Sequence, residues 1–219
     1  MMNKFAKNSI NSHHYFITGI GTDVGKTVVS AIVSEALQAS YWKPIQAGDL
    51  DNSDSIKIKN LTDNVSVLDE GVKLSQPMSP HAAAKIDKVE ITIGDFRLPN
   101  VNGNLIVEGA GGMMVPINSN GLLLVDLMKE FRLPVILVSR HYLGSINHTL
   151  LSVEVLKNRN ITIEGIIFVG DENKATEDVI LSITELKFLA RIPEVDIIDK
   201  VFIKKQAELL NRTLVYGKH

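Results

Sequence analysis

The chain has 219 residues, a formal net charge of −2, 45% hydrophobic, 22% charged and 5% aromatic residues, and no cysteine. The near-neutral charge and scarce aromatics argue against a nucleic-acid partner, no apolar run is long enough for a membrane-spanning helix, and the lack of cysteine excludes disulfides, thiolate metal sites and a cysteine nucleophile. The amino-terminal MMNKFAKNSINSHH is polar, so no signal peptide is expected and the chain reads as a cytoplasmic domain that handles a small molecule.

The first strand is predicted at HYFIT (14–18). A helix follows over 26–39, with Val29, Val33, Ala36 and Leu37 at helical spacing. SYWKPI (40–45) reads as the second strand, and the polar, weakly periodic segments 46–76 and 85–103 as loops and short helices over the sheet edge. NLIVEG (104–109), PVILVS (134–139) and EGIIFVG (164–170) complete the strands, with helices over 122–131, 145–158 and 175–184 and a last one within 201–219. Lys204 and Lys205 on that last helix read as a solvated face. The strands are apolar at consecutive positions, as in a parallel sheet buried on both faces. The expectation is an α/β fold, a mostly parallel sheet flanked by helices on both faces, forming one nucleotide-binding domain over 1–219.

Between the first strand and the first helix lies TGIGTDVGKT (18–27). Glycines there let backbone N–H groups converge on a phosphate, and the helix adds its positive end. Lys26 would reach the terminal phosphates and Thr27 would ligate Mg²⁺. Five residues separate Gly19 from Gly25, one more than in the common loop. Further candidates fall where open α/β sheets bind ligands, at the carboxyl ends of strands. Lys43 in WKPIQAG is either a core-edge lysine or a cation for the site. Asp54 in DNSDS either caps a helix or holds a metal. Glu108 in EGAGG is read at a strand end, where a charge needs a partner. Thr27, Asp54 and Glu108 with nucleotide phosphates make a set that suits Mg²⁺.

Taken in order, TGIGTDVGKT, WKPIQAG, NSDS, SPHAAA (79–84), VEGAGG (107–112), LPVILV (133–138), LGSINH (143–148) and RIPEVD (191–196) resemble the dethiobiotin synthetase family over roughly 14–196, long phosphate loop included. The resemblance implies an ATP- and Mg²⁺-dependent ligase of biotin biosynthesis, assembled as a homodimer with a shared active site. Such an enzyme closes the ureido ring of 7,8-diaminononanoate with CO₂, through a carbamate and a carbamic–phosphoric anhydride, releasing ADP and phosphate. It also implies that Lys43 and Lys26 are catalytic and that Thr27, Asp54 and Glu108 are metal-linked. The nucleotide would be held by Thr22, Asp23, Val24, Gly25, Lys26, Thr27 and Val28, with Asp54, Glu108, Gly109, Ala110 and Gly111. The substrate would meet Ala47 and Gly112 and, from the opposite subunit, Gly144, Ser145, Ile146 and Asn147 at a helix start. Ser145 has a second reading, as the cap of its own helix.

The chain departs from the family pattern at Ala47, where a serine is usual, and at Gly170-Asp171, where an adenine-reading asparagine is expected. The segment 85–103 is too broken for the family's long helix, and few residues follow RIPEVD. Base reading is therefore expected from backbone near Gly170 and Asp171 and around Pro193, Glu194 and Val195. His13, His14, His141 and His219 read as surface or loop histidines, His81 and His148 as helix-start or packing residues. Met113 and Met114 either line the substrate's alkyl chain or fill gaps. The competing reading is a partner-regulated positioning ATPase. Those proteins carry a second lysine early in the loop, where this chain has Gly21.

Overall fold

Strands that are apolar at every position need cover on both faces, and the chain supplies it by alternating strands with helices. The computed structural model describes residues 12–215. The first half comprises β1 (His14–Gly19), α1 (Lys26–Leu37), β2 (Ser40–Trp42), β3 (Ile45–Ala47), α2 (Asp54–Leu61), β4 (Ser66–Val67), β5 (Val72–Leu74) and α3 (Pro80–Asp87). The second comprises β6 (Leu105–Gly112), α4 (Leu124–Phe131), β7 (Val135–Arg140), α5 (Ser145–Asn158), β8 (Ile163–Val169), α6 (Lys174–Thr184), β9 (Phe188–Ile192) and α7 (Lys200–Val215). Most of the MMNKFAKNSINSHH segment and His219 lie outside the described residues, as do the last four positions of the predicted 201–219 helix.

Seven strands form one parallel sheet in the order β4-β2-β6-β1-β7-β8-β9, and β3 pairs with β5 in a separate parallel ribbon. Alternate residues of each strand feed two cores. Phe16, Val107, Leu137 and Phe168 pack under α4, α5 and α6, while Ile17, Ile106, Ile136 and Ile167 pack under α1 and α7. The expected parallel α/β sandwich is therefore what forms. β1 sits at the centre, and the chain leaves it to the left for β2 and later returns to its right at β7. That reversal opens a crevice at the carboxyl ends of the strands.

Three expectations need correction. The single strand over 40–45 breaks at Lys43-Pro44, because proline has no N–H for the ladder, and resumes as β3 in the other ribbon. NLIVEG is not the end of its strand, since β6 runs on through the glycines to Gly112 and Glu108 lies within it. The pairing with β1 slips between Ile17↔Glu108 and Gly19↔Gly112, and the slip swings the GAGG backbone against the phosphate loop. β9 was not expected at all, since its exposed Phe188 and its Arg191 hide the strand pattern.

Candidate active site

The loop after β1 folds tightly because two glycines permit it. A Cβ on Gly19 would lie 2.4 Å from Val24 Cγ2, and Gly25 sits at φ 90, a conformation costly for other residues. Val24 thereby turns inward and is buried, so it supports the loop rather than facing a ligand. α1 then opens on Gly25 with no side-chain cap, which leaves its first N–H groups directed at the crevice, an arrangement that suits a phosphate. Lys26, nearly buried, folds back to donate to the Gly21 carbonyl at 2.7 Å. Burial, with the like charge of Lys43 and against the pull of Glu108, lowers its pKa to about 8.

The centre of the site is Lys43. It is 3% exposed, and its ammonium lies 2.5 Å from Asp54 and 2.9 Å from Glu108 Oε1, with a further bond of 3.1 Å to the Gly109 carbonyl. Burial opposes its charge, but the Glu108 and Asp54 carboxylates outweigh burial and hold its pKa above the ordinary lysine value. Burial likewise works against the Asp54 carboxylate, but Lys43 and the Thr27 hydroxyl outweigh it and keep its pKa below the usual range. Thr27 Oγ1 donates to Glu108 Oε1 at 3.0 Å. Lys43 is thus no core-edge lysine. Asp54 is the first residue of α2, while Ser53 caps that helix by accepting from the Ile56 N–H, so the capping reading of Asp54 is wrong.

The structure brings Thr27, Asp54 and Glu108 together around Lys43. Two carboxylates and a hydroxyl, all oxygen and beside a phosphate-binding helix end, fit a hard cation that keeps phosphate and water ligands. Among the described residues no cluster of three or more His, Cys, Asp or Glu offers a metal cage. Sequence reasoning missed Tyr41, which is fully buried and donates its hydroxyl to Glu108 Oε2 at 2.9 Å. Burial and the Glu108 charge push its pKa well up, so it stays a donor.

A cavity of about 830 Å³ spreads from this cluster. Thr22, Asp23, Gly25, Lys26, Thr27 and Val28 form one wall, with Glu108, Ala110 and Gly111 beside them. Ile45, Ala47, Pro77, Met78 and Val115 add apolar lining, so Ala47 faces the same cavity as the loop. Gly112 does not line it, and neither do Met113, which is packed in the core, or Met114, which is exposed. Gln46 was also missed. It lines the cavity and accepts from the Asp54 N–H at 3.3 Å, which ties β3 to the start of α2.

A second cavity of about 290 Å³ adjoins the phosphate loop through Asp23, Gly25 and Val28 and reaches Pro193, Glu194 and Val195. Gly170 and Asp171 do not line it. Gly170 instead donates its N–H to the Ile192 carbonyl, and Asp171 is exposed. Arg140, unremarked in the sequence, does line it. His141 is not a loose surface histidine: its ring stacks on Phe168 at 5.4 Å and its Nε2 lies 3.0 Å from buried Glu177. His81 does sit at a helix start, bonded to Ser79, and His148 pairs with the Tyr142 hydroxyl on the surface.

Gly144, Ser145, Ile146 and Asn147 line neither cavity. Gly144 is the N-cap of α5 and makes no side-chain cap bond, so Ser145 does not cap its own helix. Beside this helix start Tyr142, Ile146, Leu151 and the wholly exposed Leu143 carry apolar side chains into solvent.

Residues 13–201 match a family described as an AAA domain. An ATP-dependent dethiobiotin synthetase BioD of Christiangramia forsetii is 54% identical over 202 residues, 91% of this chain and 97% of that protein. The protein of the same name from Cytophaga hutchinsonii is 50% identical, over 85% and 92% of the two chains. Among solved structures, the cell division ATPase MinD of Pyrococcus furiosus aligns with a TM-score of 0.53 at 17% identity, covering 92% of this chain and 99% of its own. The septum site-determining protein MinD of Pyrococcus horikoshii, complexed with Mg-ADP, aligns with a TM-score of 0.54 at 14% identity over 93% and 98%. At such identities those two share the fold alone.

Proposed function

The chain belongs to the ATP-dependent dethiobiotin synthetase family, and from that membership we infer that it closes the ureido ring of 7,8-diaminononanoate with CO₂, converting ATP to ADP and phosphate in the presence of Mg²⁺. The observation that carries the reading is the buried Lys43, held by Asp54 and Glu108 beside the phosphate loop. One nucleotide-binding ligase domain, working in the cytoplasm, accounts for the chain.

The reaction asks for positioning and charge rather than for a protein nucleophile. One amine of the substrate attacks CO₂, forms an N–C bond and loses a proton to give a carbamate. A carbamate oxygen takes the γ-phosphoryl group as ADP leaves, and the carbonyl carbon becomes an electrophile. The second amine attacks that carbon, phosphate departs, a proton is released and the ring closes. Lys43 supplies a fixed positive charge where anionic carbamate and phosphoryl oxygens meet, and Lys26 supplies another at the loop. Thr27, Asp54 and Glu108 would hold Mg²⁺, which neutralises phosphate charge. The apolar lining of the large cavity, with Ala47 and Met78, suits the substrate's methylene chain.

The substrate's distant carboxylate needs its own donors. We assign it the first turn of α5, with Ser145, Ile146 and Asn147, offered by a second copy of the chain. Support comes from their absence from the lining of either cavity of their own chain and from the apolar surface around Leu143, which a homodimer would cover.

ADP release on adding the diamine and bicarbonate to enzyme, ATP and Mg²⁺ tests the assignment. A switch-type ATPase would ignore the diamine, and ADP release independent of it would refute the reading.

A further inference from the structure

The smaller cavity is walled by apolar side chains, among them Val28, Val169, Ile192, Ile198 and Phe202, and its polar side chains are Asp23, Arg140 and Glu194. None of the lining residues is an asparagine or glutamine, so no side-chain amide reads a base there. Arg140 instead spans it. Its Nη1 donates to the Asp23 carbonyl of the phosphate loop at 3.1 Å, and its Nε lies 2.6 Å from Glu194 Oε1 on the opposite segment. The side chains of this pair are 42% and 52% exposed, and pairs so exposed contribute little to folding. A guanidinium held across an apolar slot has another use, since its plane stacks well on an aromatic ring.

Behind the pair lies a firmer tie. The buried Glu177 carboxylate accepts from Arg191 Nε at 2.7 Å, from Arg191 Nη2 at 2.6 Å and from His141 Nε2 at 3.0 Å. His141 is the residue after Arg140, and Arg191 precedes the Ile192–Glu194 wall. One carboxylate therefore anchors both shores of the cavity.

We propose that Arg140 is the base-holding side chain of the nucleotide site, clasping the phosphate loop to Glu194 across the nucleobase, with Glu177 as the positioning residue beneath both ends. The proposal rests on the reading of this crevice as an ATP site.

The test compares ATP with inorganic tripolyphosphate, which has the phosphates without the base, by calorimetry on Arg140→Ala, Arg140→Gln and Glu177→Gln. Arg140→Ala and Arg140→Gln are expected to weaken ATP binding about 3- to 10-fold with an unchanged melting temperature, and to leave tripolyphosphate binding within about twofold. Glu177→Gln is expected to weaken ATP in the same selective way, and combined with Arg140→Ala to add less than its separate effect. Unchanged ATP affinity in both Arg140 variants, or an equal loss for both probes, would overturn the proposal. Neither probe requires turnover, so a protein that passes this test but makes no ring product would sink the functional assignment alone.

Discussion

Thr27, on the first turn of α1, and Lys43, just past the end of β2, donate to the same oxygen, Glu108 Oε1, at 3.0 and 2.9 Å. Glu108 thereby joins the phosphate-loop helix to Lys43 through one buried carboxylate. Thr27, Lys43, Asp54 and Glu108 are thus a single hydrogen-bonded unit, so a change at one of them registers at the others.

The proposed reaction gives Lys26 and Lys43 different parts. Lys26→Ala is expected to weaken ATP binding and turnover together, because the loop loses its charge. Lys43→Met is expected to lower kcat by about 10²–10³-fold with a smaller change in ATP affinity. It should also destabilise the protein, by about 3–5 kcal/mol, since Asp54 and Glu108 lose their buried counter-charge. Steady-state kinetics with a parallel melting curve checks both, and an unchanged kcat in Lys43→Met would remove that residue from the chemistry.

Asp54→Asn and Glu108→Gln are each expected to raise the Mg²⁺ concentration needed for half-maximal activity, with the far-ultraviolet circular dichroism spectrum unchanged. A Mg²⁺ titration identical to wild type in both variants would show that these oxygens do not serve the metal.

Much of this arrangement was legible in the sequence. Buried parallel strands are apolar throughout, and the glycine-rich loop between β1 and α1 is visible by spacing alone, so the sheet and its phosphate site could be read directly. Lys43 could be flagged but not weighed. Its partners lie 11 and 65 residues away, and only the sheet order brings Asp54 and Glu108 onto it. Tyr41 escaped for the same reason, as nothing local pairs it with Glu108. Arg140 lies just past the predicted strand 134–139 and carries no motif, and its bridge to Glu194 depends on β9, whose exposed edge weakened the strand pattern.

The Glu177 tie makes a pH prediction. Burial opposes the Glu177 carboxylate, but the Arg191 and His141 hydrogen bonds outweigh it and hold the folded pKa below the ordinary 4.5. A depressed carboxylate contributes stability that is present above the unfolded pKa and lost as pH falls through the folded one. Glu177→Gln, which does not titrate, is therefore expected to be less stable than wild type at neutral pH, with the gap narrowing below about pH 4.5. Urea unfolding at several pH values measures it, and a constant gap down to pH 3 would contradict the prediction.

The shared-site proposal predicts complementation. Lys26→Ala and Asn147→Asp, each inactive alone, are mixed, dissociated and reassociated. If Asn147 serves the opposite subunit, each heterodimer has one doubly damaged and one intact site, and random pairing restores about a quarter of wild-type activity. No recovery in verified heterodimers would place both residues in one subunit's site.

Ring closure itself is tested most directly by carbon tracing. With ¹³C-bicarbonate, 7,8-diaminononanoate, ATP and Mg²⁺, mass spectrometry is expected to show one labelled carbon in a ring-closed product, with one ADP formed per product. ADP formed without incorporation of the label would contradict the account.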